Sequence, residues 1–149
     1  MKDTASIPRY NIAMLLERQG RVDEAIDALR AAVQTDPNPL SRMHLALLLE
    51  RRGLDDEATD QLRQLILESP RLAEAYNNLA ALLVRRGELA EARRLLSTAL
   101  ELAPGYEDAR GNLQQLDGAL PPSGEYGGPP LGFKSTGLPG GPSGGLPAR

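Results

Sequence analysis

Three five-residue stretches decide the fold: Ile12-Ala13-Met14-Leu15-Leu16, Leu45-Ala46-Leu47-Leu48-Leu49 and Leu79-Ala80-Ala81-Leu82-Leu83. Each is followed four residues later by a glycine (Gly20, Gly53, Gly87). That glycine precedes an alanine by five residues (Ala25, Ala58, Ala92) and a proline by seventeen (Pro37, Pro70, Pro104). The copies stand 33 and then 34 residues apart, and a fixed period of this size marks a repeat architecture. Three units follow, over about 6–38, 39–72 and 73–106.

Inside each unit the apolar period is helical. Val22, Ala25, Ile26, Leu29, Ala32 and Val33 recur at three- and four-residue steps, as do Leu89, Ala92, Leu95, Leu96, Ala99 and Leu100, so each second helix buries one stripe. Five consecutive apolar residues leave the first helices no polar side at mid-length, which requires neighbours on more than one flank and predicts an inner layer. The glycines stand where a helix must stop in a left-handed turn, and the prolines end the second helices. Asp23, Asp55 and Glu88 place negative charge at the next helix start. Beyond the third unit, Ala109, Leu113, Leu116 and Leu120 keep helical spacing, with Arg110, Asn112, Gln114, Gln115 and Asp117 outside. They predict a capping helix over about 107–118 that covers the last apolar face. No helix ahead of Ile7 supplies the same cover at the start, so that face is expected to be partly polar or to contact a partner, a homodimer through the N-terminal repeat being one such use.

Composition narrows the function. Among 149 residues there is no apolar run near the ~20 that a membrane span needs, which argues against direct membrane insertion. Met1-Lys2-Asp3-Thr4 leads into a polar stretch without the apolar core of a secretory signal, so a cytoplasmic location is expected. With 17 Lys+Arg against 20 Asp+Glu, one Phe, four Tyr and no Trp, neither broad electrostatic attraction nor base stacking supports a nucleic-acid partner. The absence of cysteine removes disulfides, thiolate metal sites and a cysteine nucleophile, and the single histidine, His44, leaves no triad or zinc set. Asp23-Glu24 and Asp55-Asp56-Glu57 lie at helix starts, where capping explains them without a metal. Lys134-Ser135-Thr136 lacks the strand and the glycine spacing of a phosphate-cradling loop. No catalytic, cofactor-binding or metal-binding residue is therefore expected, and the chain does not read as an enzyme.

Ten of the fifteen glycines and seven of the twelve prolines fall from Gly118 onward. This shift divides a repeat domain, 1–118, from a Gly/Pro-rich tail, 119–149, expected to be extended or disordered because it holds too few apolar residues to offset chain entropy. Its anchors would be Tyr126, Leu131 and Phe133, docking on the protein's own groove or across a larger assembly.

A 34-residue helix pair with these residues resembles the tetratricopeptide repeat. The match rests on Ala13, Ala46 and Ala80 at the close-contact position, on Ala25, Ala58 and Ala92, on Leu29, Leu62 and Leu96, and on the closing prolines. Tyr76 fits the bulky aromatic usual early in the first helix; Arg9 and Arg42 depart from it. The resemblance covers about 6–106 and implies an all-α, right-handed α-solenoid whose first helices line a concave groove for a partner's extended segment or helix.

By that resemblance the groove positions are Ile7, Tyr10, Met14, Glu17 and Arg18, then Leu40, Met43, Leu47, Glu50 and Arg51, then Glu74, Asn77, Ala81, Val84 and Arg85, with Asn78 beside them. Tyr10, Met14, Met43 and Leu47 make one half apolar and adaptable, while Asn77 and Asn78 suit a peptide backbone. Arg18, Arg51 and Arg85 form a row able to grip an acidic segment, although pairing with Glu17 or Glu50 is the plainer reading. One subgroup of the family holds chaperone tails through a clamp of Lys, Arg and Asn. Its positions here carry Tyr10, Met14, His44, Glu74 and Asn78, so only Asn78 suits and Glu74 would repel a carboxylate. The function implied is a non-catalytic protein–protein interaction module. It would be an adaptor or assembly factor with a protein or peptide partner in its groove and the tail as second attachment; the alternative is a permanent structural subunit of a multiprotein complex.

Overall fold

The structure, a computed structural model, describes residues 6–119 and 131–136. Seven helices occur among them: α1 (Ser6–Arg18), α2 (Val22–Thr35), α3 (Pro39–Arg51), α4 (Asp55–Glu68), α5 (Ala73–Arg85), α6 (Leu89–Leu102) and α7 (Glu107–Ala119). The described residues contain no strand. Within a unit α1 packs on α2, α3 on α4 and α5 on α6; between units α2 meets α3, α4 meets α5 and α6 meets α7. This nearest-neighbour order is an all-α solenoid, and α7 is the expected cap.

Each turn has the same mechanism. Gly20, Gly53 and Gly87 take φ of 77°, 73° and 80°, where an L side chain would be strained. Their amides bond back to Glu17, Glu50 and Val84, and the next residue bonds to Leu16, Leu49 or Leu83 at 2.9 Å, closing the last helical carbonyls. The second helices end at Thr35, Glu68 and Leu102, each two residues before its proline.

The acidic helix starts differ from the capping expectation. The N-cap residues of α2, α4 and α6 are Arg21, Leu54 and Glu88, and none makes a side-chain cap. The acids reach the neighbouring repeat instead: Asp23 accepts from Arg52, Asp55 from Arg85 at 3.1 Å, and Glu57 from Arg30 at 2.7 Å. The Arg30 guanidinium holds the Glu57 carboxyl below its ordinary range. Arg42 is buried at the departure from the family aromatic. Its guanidinium donates to both Glu68 oxygens, at 3.0 and 3.1 Å, and to Gln61 at 2.8 Å. The aromatic that fits, Tyr76, donates to the Pro70 carbonyl at 2.7 Å.

One continuous core runs through the stack, from Ala13 to Leu116. Its edge is visible at register-equivalent residues: Ile12 is 52% exposed, whereas Leu45 and Leu79 are 1% exposed. The open face of α1 is therefore partly apolar.

Candidate functional site

Three asparagines converge on the inner face of α5 and α7, and Lys134 to Thr136 lies over them. The Asn112 side chain accepts from the Lys134 amide at 3.0 Å and donates to the Lys134 carbonyl at 2.9 Å. Asn78 repeats this two residues on, accepting from the Thr136 amide at 2.7 Å and donating to its carbonyl at 3.0 Å. Asn77 sits between them, accepting from Asn112 at 2.8 Å and donating to the Lys134 carbonyl at 2.9 Å. A primary amide carries one acceptor and two donor hydrogens, so one side chain satisfies both backbone polar groups of a residue without reference to that residue's side chain. All three asparagines are buried, and burial of an amide is tolerated only when it is hydrogen-bonded in this way.

The alternation sends Ser135 the other way, where its hydroxyl donates to Glu50 of α3 at 2.9 Å. Thr136 donates to Asp108 of α7 at 3.1 Å and also contacts the Tyr106 hydroxyl. Leu131 and Phe133 are partly buried against the core. Of the expected tail anchors, these two lie in the described segment; Tyr126 lies outside the described residues.

Burial raises the Tyr106 phenol to about 12, outweighing the Thr136 contact, which lowers it. The neutral phenol is thus the form the folded site favours. Its contribution is intact below pH 10, the ordinary value, and is lost as pH rises through about 12. A phenolate absorbance titration of the full chain against Tyr106→Phe is expected to assign the late-ionising tyrosine to this residue; a difference curve centred near 10 would contradict it.

The remaining groove candidates divide by place in the stack. Met43 is buried, its Sδ accepting from Asn78 at 3.5 Å, and Ala81 is buried on α5. Leu47 is half-buried against the core. Tyr10 meets the His44 ring edge-on, with centroids 5.8 Å apart, and Met14 is half-buried; among the described residues no hydrogen bond or ring contact joins either to the docked segment. Glu17 binds His44 Nε2 at 2.6 Å and Arg51 at 2.7 Å, while Arg85 binds Glu50 at 2.9 Å. Arg51 and Arg85 are thereby tied between repeats. Arg18 is exposed and has no partner among the described residues.

Asn112 is the residue that sequence reasoning missed, since it was expected on the outer side of the cap. A signal existed: the 34-residue step that joins His44 to Asn78 lands on Asn112 when taken once more. Asp108, in the cap's first turn, carried the same signal, one 34-residue step after Glu74, whereas Tyr106 carried none. Among the described residues no set of three or more His, Asp or Glu converges as a metal site, and no helix is long and apolar enough to cross a membrane.

Tetratricopeptide repeat models match residues 10–66 and 73–106. No curated protein compared with the chain matches it. Among solved structures, the first repeat domain of Spaghetti (RPAP3) bound to the HSP90 peptide SRMEEVD is 24% identical, with a TM-score of 0.71 over 77% of this chain and 92% of that one. MamA is 25% identical, TM-score 0.70, over 74% of this chain and 61% of its own. The second repeat domain of human RPAP3, in complex with the HSP70 peptide SGPTIEEVD, is 22% identical, TM-score 0.69, over 75% and 94%.

Proposed function

The chain belongs to the tetratricopeptide repeat family, and on that premise we propose that it is an adaptor or assembly factor whose inner face takes an extended protein segment by its backbone. The observation that carries this reading is the asparagine lock on Lys134 and Thr136. Because the locked peptide units lie within a chain that continues on both sides, the ligand is an internal segment. The two RPAP3 domains hold chaperone peptides. In this protein Glu74 stands where a clamp would need a cation, which favours an internal segment over a free carboxyl terminus.

The tail is then the groove's own occupant, and an external ligand competes with it. A short tether gives its end an effective concentration in the millimolar range, on the order of 1 mM. Eleven residues, 120–130, join α7 to the docked segment. A chain ending at Ala119 should therefore capture a free peptide spanning residues 128–139 at least roughly tenfold more tightly than the full chain does. Isothermal titration of both proteins checks this; equal affinity would remove the tail from the groove, and no binding by either would remove the groove.

A further inference from the structure

Lys134-Ser135-Thr136 lacks the glycine spacing of a phosphate-binding loop, yet both of its hydroxyls are placed against carboxylates. We propose that Thr136 is a phosphorylation site whose modification expels the tail and opens the groove, an inference that rests on the docking reading above. The Thr136 Oγ1 proton is given to Asp108, the Tyr106 hydroxyl contacts the same oxygen, and the Asn77 amide lies 3.4 Å away. The negative field of Glu74 also reaches Tyr106. The bond to Asp108 depends on the hydroxyl's own proton, and a phosphate in its place would face that carboxylate.

The chemistry is transfer of the γ-phosphoryl group of a nucleoside triphosphate. The P–O bond to the diphosphate leaving group breaks, one forms to Oγ1, and the hydroxyl proton passes to the modifying enzyme's base. The phosphate brings nearly two negative charges and no donor, so it replaces an accepted carboxylate contact by repulsion and desolvation. Two features of the site could offset this, and each is weakened, the first by neighbouring acids and the second by solvent screening. The first turn of α7, whose dipole favours an anion, carries Glu107 and Asp108. Lys134, the segment's own cation, is exposed. Ser135 differs, because the Glu50 oxygen it donates to also accepts from Arg85 at 2.9 Å. A phosphate at 135 therefore meets a guanidinium and is tolerated.

The test is amide hydrogen exchange on the full chain, read at Lys134 and Thr136, whose amides bond to Asn112 and Asn78. Unmodified chain should be protected at both. Phosphothreonine encoded at 136, or Thr136→Glu, should lose at least roughly tenfold of that protection while the core amide of Leu82 keeps its own. Thr136→Val and Ser135→Glu should stay within about threefold of the unmodified chain. Protection retained in both charged 136 forms overturns the proposal alone. An equal loss in Thr136→Val shows that the hydroxyl bonds rather than the charge decide, and an equal loss in Ser135→Glu removes the assignment to 136; either overturns it. An unprotected wild-type tail fails the docking reading itself, and the proposal with it.

Discussion

Asn78→Ala should release the docked segment while leaving the melting of the repeats nearly unchanged. Alanine is a good helix former and the site is buried within α5, so the substitution does not disturb the helix itself. What it removes is both bonds to Thr136, its amide and its carbonyl, together with the longer contacts to Met43 Sδ and Asn77. At about 1–1.5 kcal/mol for each bond, the loss is roughly 30- to 150-fold in docking equilibrium. Asn78→Asp separates the two halves of the lock: a carboxylate still accepts from the amide, but it faces the carbonyl with no donor. Both variants should therefore fail to capture the 128–139 peptide when built on a chain ending at Ala119. If Asn78→Asp bound as well as the parent, the bidentate reading would be wrong.

Leu48→Ala and Leu82→Ala should each destabilise the protein by about 2–5 kcal/mol, whereas Leu15→Ala should change it by no more than about 0.5 kcal/mol. The three leucines hold the same place in their repeats, 33 and 34 residues apart. Leu48 and Leu82 are 0% exposed and truncation leaves a cavity; Leu15 is 55% exposed, because nothing among the described residues precedes α1 in the stack. Thermal melting should fall by roughly 10 °C or more for the two buried positions. Equal losses at all three would mean that α1 is covered in solution.

That contrast explains what the sequence makes legible. Helix ends, glycine turns and the apolar stripes follow from local spacing, and all appear where the period places them. Leu15 and Leu48 cannot be told apart locally, because their environments are decided by stacking. Asn112 looked external because its neighbours in α7 are polar, although the 34-residue step identifies its face. The acids at the helix starts read as caps; the arginines that claim Asp23 and Asp55 arrive from the next repeat, 29 or 30 residues later, and the one that claims Glu57 from the repeat before. The docked segment was the least legible part. Its partners lie 22 to 85 residues away, and Gly/Pro-rich composition says only that the segment builds no core alone.

The amide lock also has a grammar of its own. Asn112 and Asn78 hold units 134 and 136 and read neither side chain, so a ligand shifted by two residues presents the same polar groups to the same amides. A shift of one residue turns every side chain to the opposite face. The groove thus measures parity before it measures sequence. Bound segments have frames separated by steps of two, and the choice among those frames falls to the residues that, like Leu131 and Phe133, must find apolar cover.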